Sequence, residues 1–266
     1  MTKSDCPQLT LTALPGIPLI QRGDDLAEIV IGTLARAGIG LQAGDVLVLA
    51  QKIVSKAEGR LVRLSDITPS TEAVELARAA HKDPRQVQVV LNESKGVVRH
   101  RPGVIVVEHR LGYVCANGGV DHSNVEPPKG VEAKAGDTWL LMLPQDPDRS
   151  AALLRRRFQE ASRVDDLGVI INDSHGRAWR TGTVGVALGV AGFPALLDLR
   201  GRPDLFDHPL EVTTVGLADE VAAAASLLMG QAGEGRPVIH VRGIPYPLRE
   251  GSARELIRSR ETDLFR

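Results

Sequence analysis

An α+β fold, with mixed and largely antiparallel sheets and flanking helices, is the architecture the sequence predicts. Three observations lead there. Strand-like and helix-like stretches follow one another without the regular strand–helix–strand rhythm of a doubly wound sheet. No Gly-x-Gly-x-x-Gly follows a strand pattern and the dipeptide Gly-Lys never occurs, so neither a Rossmann nor a P-loop fold is supported. Hydrophobic residues make up 43% of the 266 residues but aromatics only 3%, so the core must be aliphatic.

The elements read in order as follows. Leu9 to Leu14 predicts a first strand, followed by a stiff loop with Pro15 and Pro18. Asp24 or Asp25 can cap a helix whose Leu26, Ile29, Val30 and Leu34 fall at helical spacing, and Gly38 ends it. Asp45 to Ala50 is a continuous apolar run, hence a buried strand. Gln51 to Arg60 is a polar stretch that turns at Gly59. Two helices follow, the first carrying Val74, Leu76 and Ala77, the second opened by Asp83–Pro84. Residues 99–110 give a strand around Val104–Val107, and Tyr113–Ala116 another. The glycine turn Asn117–Asp121 comes next, then a loop over 126–136 and a strand from Trp139 to Leu143.

Pro144 to Asp148 predicts a turn that caps a helix over about 150–162, and Arg155, Arg156 and Arg157 read as its solvated face rather than a phosphate clamp. Leu167 to Asn172 is a buried strand that ends in Asp173. Thr183 to Ala191 is small and Gly-rich, which permits close backbone approach. A strand at Leu210–Val215, an Ala-rich helix from Asp219 to Met229, a last strand at Val238–Gly243 and a helical tail over 250–264 complete the chain. The whole reads as one unit, 1–266, with room for two intertwined subdomains and no repeat or low-complexity linker.

Composition excludes several functions. A net charge of −1 is too low for a phosphate-tracking surface, and few rings are available for base stacking, so no nucleic-acid partner is expected. Two cysteines, Cys6 and Cys115, cannot form a disulfide framework, and no run of 18 apolar residues exists. Met1 to Pro7 has no apolar signal core, so a cytoplasmic chain with no membrane partner is expected. Gly-x-Ser-x-Gly and His-Glu-x-x-His are both missing, which leaves hydrolase signatures unsupported.

What remains for chemistry is hard oxygen ligands. Asp121 follows a Gly-Gly turn, and Asp173 precedes Ser174, His175, Gly176 and Arg177. Carboxylate, hydroxyl and amide oxygens suit Mg²⁺ or Mn²⁺. Taken alone, each Asp also reads as a turn or cap residue, and Lys56 as a surface lysine. His122 and His175 read first as solvent-facing loop residues, with ligand or acid–base roles open. The glycine loop Met229–Arg236 follows a helix C-terminus, which repels anions unless a cation or Arg236 intervenes.

Taken together, Leu14–Asp25, Val54–Arg60, Asn117–Glu126, Leu143–Asp148, Ile171–Arg177 and Leu227–Gly235 resemble the coenzyme F420-0:L-glutamate ligases, in family order and over nearly the whole chain. The resemblance implies a GTP-dependent ligase that joins L-glutamate to the phospholactyl carboxylate of F420-0 through an acyl phosphate, and that can add further γ-linked glutamates. It implies two divalent metals, Mg²⁺ or Mn²⁺, stimulation by K⁺, and a homodimer. By position, Asp121 and Asp173 match one metal's ligands, and Ser174 and Gln231 the other's. Ile17, Pro18, Leu19, Ile20, Gln51, Lys52, Lys56 and Asn124 match nucleotide-contacting positions. So do Met229, Gly230, Gln231, Ala232, Gly233, Glu234, Gly235 and Arg236. Asp121, Asp173 and Lys56 are the expected catalytic set. Some relatives carry a second, flavin-binding reductase domain, and the resemblance leads us to expect only the ligase part here. Other chemistries open to the same aspartates are metal-dependent phosphate hydrolysis and non-catalytic nucleotide sensing.

Overall fold

The structure, a computed structural model, describes residues 6–131 and 137–264. Part of the predicted loop over 126–136, part of the N-terminal segment Met1–Pro7 and the end of the chain lie outside the described residues.

The strands are β1 (Thr10–Ala13), β2 (Asp45–Ala50), β3 (Leu61–Arg63), β4 (Ser94–Arg101), β5 (Val104–His109) and β6 (Val114–Ala116). Then come β7 (Trp139–Leu141), β8 (Leu167–Arg177), β9 (Arg180–Ala191), β10 (Leu197–Asp198), β11 (Thr214–Val215) and β12 (Val238–Arg242). The helices are α1 (Leu26–Arg36), α2 (Gln51–Ala57), α3 (Thr71–Ala80), α4 (Pro84–Asn92), α5 (Pro147–Ser162) and α6 (Leu217–Met229). This is the α+β architecture expected.

A five-stranded sheet in the order β1-β12-β2-β8-β9 forms the frame. Only β2 and β8 run parallel; the other pairs are antiparallel. Alternation along β2 sends Leu47 and Leu49 to one face, under α1 and α5, and Val46 and Val48 to the other, under α6. A third apolar cluster lies outside this frame, where α3 and α4 pack on β5 through Ala77, Val87, Val90 and Val107. The chain leaves the central sheet after α2 and returns to it through α5, so residues 117–124 reach the site from this smaller unit.

Two glycines of β9 decide how closely helices seat on the sheet. A Cβ at Gly189 would lie 2.3 Å from the Pro147 carbonyl, and one at Gly185 would lie 2.4 Å from the Ala222 carbonyl. The close backbone approach expected for this stretch is therefore realised against α5 and α6. Helix starts follow their caps. The side chains of Asp25, Ser70, Asp83 and Asp146 accept from Glu28, Ala73, Arg85 and Arg149 amides, each cap contributing about 1 kcal/mol.

Six expectations change. The polar stretch from Gln51 is helix α2, held by Ile53 and Val54, both buried. Strand β4 was not expected; its residues are mostly exposed and charged, so no alternation marks it. The strand at 167–172 does not end at Asp173 but continues to Arg177, because β9 pairs with it throughout, with an irregularity at Ile171/Asn172. The 210–215 strand shrinks to β11, and the tail makes two short 3-10 turns, Ala253–Leu256 and Arg260–Thr262. The three arginines also part company. Arg155 donates to the Leu167 carbonyl and Glu250, Arg157 pairs with Asp25, and Arg156 lies 3.5 Å from Glu160.

Asp45, at the start of β2, is 1% exposed and takes hydrogen bonds from Arg242 at 2.7 and 2.8 Å, with His240 at 2.9 Å. Burial alone would raise its carboxyl, but Arg242 and His240 outweigh that and hold it at about 2. Its contribution to stability is therefore complete above the unfolded value near 4 and lost as pH falls through about 2. Asp45→Asn should lower unfolding free energy at pH 7 by about 3 kcal/mol, and the gap to the parent protein should shrink in denaturant titrations between pH 4 and 2.

Candidate active site

The site begins with a left-handed turn that requires glycine at Gly119. Asn117, Gly118 and Gly119 have φ of 52°, 61° and 64°, and a Cβ on Gly119 would lie 2.7 Å from Leu143 Cγ. The Asn117 side chain accepts from the Ile105 amide, tying the turn to β5. Beyond it Asp121 exchanges both backbone hydrogen bonds with Leu141, at 2.8 and 2.9 Å. This fixed backbone delivers the Asp121 carboxylate to a cleft of about 470 Å³.

Every residue assigned to the site from the sequence lines that cleft. Five separate stretches meet there: 17–20, 51–56, 121–124, 173–174 and 229–236. The sequence also passed over Gln21, Ser123, Glu126, Asn172 and Ser226, which share the lining. Four of these fall inside the motifs already singled out; Ser226 carries no local signal.

The contacts assign the side chains distinct places. Gln51 is buried, and its Nε2 donates to Asp121 Oδ2 at 2.9 Å. Its Oε1 accepts from Ser55 Oγ at 2.8 Å, so both ends of the amide are engaged. Lys52 Nζ donates to Ser123 carbonyl and hydroxyl oxygens at 3.0 and 2.9 Å and lies 3.4 Å from Asp121 Oδ2. Lys56 Nζ donates to the Asn124 carbonyl at 2.8 Å, while Asn124 Nδ2 donates to the Ala232 carbonyl at 3.1 Å. Burial, then the neighbouring Lys52 charge, lower the Lys56 ammonium from its ordinary value against the pull of Glu126. Lys56 is thus half-buried and not a plain surface lysine.

On the sheet side, Asp173 Oδ2 lies 3.0 Å from His175 Nε2. His175 therefore sits on β8 against a carboxylate and is not a loop residue facing solvent, whereas His122 is exposed. Ser174 Oγ donates to Gln231 Oε1 at 2.8 Å, so these two positions, 57 residues apart in sequence, are in contact. Asn172 Nδ2 donates to Ser226 Oγ and Met229 Sδ, while its Oδ1 is buried with no partner among the described residues. Cys115, buried beneath, has its thiol pushed up to about 12 by burial and then by the Asp173 charge, so it is a core residue.

The electrostatics favour a cation. Burial, and then the Asp173 charge, raise the Asp121 carboxyl to about 6 despite Lys52 and Gln51. Among the described residues no group of three or more His, Cys, Asp or Glu forms a ready metal cage. The donors available are instead two carboxylates, a hydroxyl and amide oxygens, one of them orphaned at Asn172. That set fits a hard divalent ion that keeps part of its coordination for water and phosphate oxygens. The 229–236 loop follows the C-terminus of α6, with Gly230 at φ 74° and the Glu234 carboxylate accepting from the Ala232 amide. Helix dipole and Glu234 both repel anions there, so an anion at this loop would need the charge of the lysines, Arg236 or a cation to offset them.

Comparison with known proteins gives one family. The model of the F420-0:Gamma-glutamyl ligase family matches residues 16–243. A "Coenzyme F420:L-glutamate ligase" of Methanothermobacter thermautotrophicus is 45% identical over 97% of this chain and 99% of its own length. Proteins of the same name from Methanopyrus kandleri and Archaeoglobus fulgidus are 46% and 44% identical, covering 98% and 94% of both chains. Among the described residues no helix is long and apolar enough to cross a membrane.

Because its folded-state pKa is raised, Asp121 destabilises the metal-free protein increasingly as pH rises through about 6. Asp121→Asn should therefore raise stability in chelator at pH 8 by about 2 kcal/mol, and this gain should vanish below pH 4 in thermal unfolding scans. A variant less stable than the parent at pH 8 would contradict the electrostatic reading.

Proposed function

This chain belongs to the F420-0:Gamma-glutamyl ligase family, and on that premise we propose that it joins L-glutamate to the phospholactyl carboxylate of coenzyme F420-0, driven by GTP and passing through an acyl phosphate. The observation that supports this most is the convergence of the five assigned stretches on one cleft, with two like-charged carboxylates facing each other inside it.

An amide does not form from a carboxylate and an amine at neutral pH without activation. The acceptor carboxylate attacks the γ-phosphorus, GDP leaves, and the glutamate amine then displaces inorganic phosphate. Such chemistry needs positioning and charge stabilisation more than a covalent nucleophile. Lys52 and Lys56 now donate to Ser123 and Asn124 oxygens, and a triphosphate offers them stronger, charged acceptors. Ile17 and Leu19, the latter 77% exposed, give the nucleotide's base and ribose an apolar wall. The 229–236 loop contributes backbone amides beside the phosphates, with Arg236 offsetting Glu234.

Asp121 and Asp173, and separately Ser174 and Gln231, would hold two Mg²⁺ or Mn²⁺ ions, whose charge would neutralise the triphosphate and the transferring phosphoryl group. Gln51, buried at the floor of the cleft, donates to Asp121 Oδ2 and so holds that carboxylate in place.

Mass spectrometry of F420-0 incubated with the protein, glutamate, Mg²⁺ or Mn²⁺ and GTP should show addition of one or more glutamates, and ATP should substitute poorly. Phosphate release should depend on both glutamate and F420-0; release without either would indicate a phosphohydrolase. Asp121→Ala and Asp173→Ala should each retain the fold by circular dichroism yet leave less than about one-hundredth of the ligation rate. Near-normal turnover in both would sink the assignment.

A further inference from the structure

On the proposed function the first cleft takes the triphosphate and the reacting carboxylate, and the body of the acceptor extends beyond it. A second cavity, of about 380 Å³, opens on the other side of the Asp173–His175 pair. Asp173 lines the first cavity and His175 the second, and the two side chains meet at 3.0 Å. They stand two residues apart on one face of β8, so a molecule running along the strand passes from one cavity to the other.

The chemistry of this second cavity is graded. Its wall is apolar, made by Val114, Val186, Leu188, Leu256 and Ile257. The Tyr113 hydroxyl is already spent on the Leu188 carbonyl, so that ring adds surface rather than a donor. Gly112, at φ 99°, keeps the rim low, since a Cβ there would meet Ile257 Cδ1 at 3.0 Å. Farther in, Asp219 accepts only from the Ala187 amide among the described residues, so its carboxylate has room for a hydroxyl donor. Arg177 is exposed at the rim and spends one nitrogen on the Gly182 carbonyl, leaving other donors of its fork. From Asp173 to Arg177 the strand covers four residues, about 13 Å, a span that suits an extended molecule and not free glutamate.

We propose that this second cavity holds the body of the acceptor: a flat fused ring on the apolar wall with its polar edge at Arg177, a hydroxylated chain at Asp219, and, beside His175, the phosphodiester that adjoins the terminal carboxylate. The terminal carboxylate is then carried past His175 into the first cleft. This rests on the reading that the acceptor is F420-0, a ring chromophore joined through a polyol chain to its phospholactyl group.

The test is a fluorescence titration of F420-0 into the intact protein, using the chromophore's own emission, with nucleotide binding measured in parallel by calorimetry. Val114→Trp, at a residue 41% exposed, narrows the cavity, and Arg177→Glu reverses the charge at its rim. Each variant should weaken F420-0 binding at least about tenfold, or 1.4 kcal/mol, and leave GTP binding unchanged. If both bind F420-0 as tightly as the parent while GTP binding is intact, this placement is overturned and the ligase reading stands. If the parent neither binds nor glutamylates F420-0, the ligase reading falls and takes the placement with it.

Discussion

Two carboxylates, Asp121 and Asp173, are brought into one cleft, and the rest of the site is arranged around their repulsion. Neither belongs to a single local element. Asp121 arrives on a glycine turn braced by Leu141 and Leu143, from the smaller unit. Asp173 arrives on β8 of the central sheet, beyond the irregularity at Ile171/Asn172. Folding places them together, and the cost appears as the raised Asp121 carboxyl. Proteins keep such a pair only where a cation or a proton offsets it.

The surrounding residues act on this pair at different depths. Ser55 and Gln51 form a buried relay that ends on Asp121 Oδ2 and fixes which carboxylate oxygen remains for the cleft. Lys52 and Lys56, one helical turn apart on α2, hold the 123–124 segment, and Asn124 in turn reaches the 229–236 loop. Segments that line the cleft are thus tied to one another through bonds that, on the proposed function, a triphosphate would replace. By contrast, the Asp45–His240–Arg242 and Glu93–Arg60–Arg110 networks are structural: in each, guanidinium and imidazole partners hold a buried carboxyl at about 2. They show what a satisfied buried acid looks like here, and Asp121 differs from both.

Much of the frame was legible from the sequence because its signals are local. Asp25 before Leu26, and Asp83–Pro84 before an amphipathic run, announce helix starts; the unbroken run of β2 announces a central strand. α2 escaped because it has seven residues, no side-chain cap, and polar residues on the face it turns to the cleft. β4 escaped because its exposed, charged residues carry no period-2 contrast. Asp173 was misread as a strand end because the buried run stops there, although pairing with β9 does not. The site's members were legible through motif resemblance, but their relations were not. Gln51 meets Asp121 across 70 positions of sequence, and Ser174 meets Gln231 across 57. No spacing rule reaches that far.

The most direct test of this account is crystallographic. Crystals of the protein grown with Mn²⁺ and a non-hydrolysable GTP analogue should be measured at a wavelength that reveals manganese by anomalous scattering. The account predicts an anomalous peak between the Asp121 and Asp173 carboxylates, with the triphosphate in the same cleft and the Lys52 and Lys56 ammonium groups turned towards it. A bound nucleotide with no manganese at those two aspartates, or manganese and nucleotide in a different cavity, would contradict it.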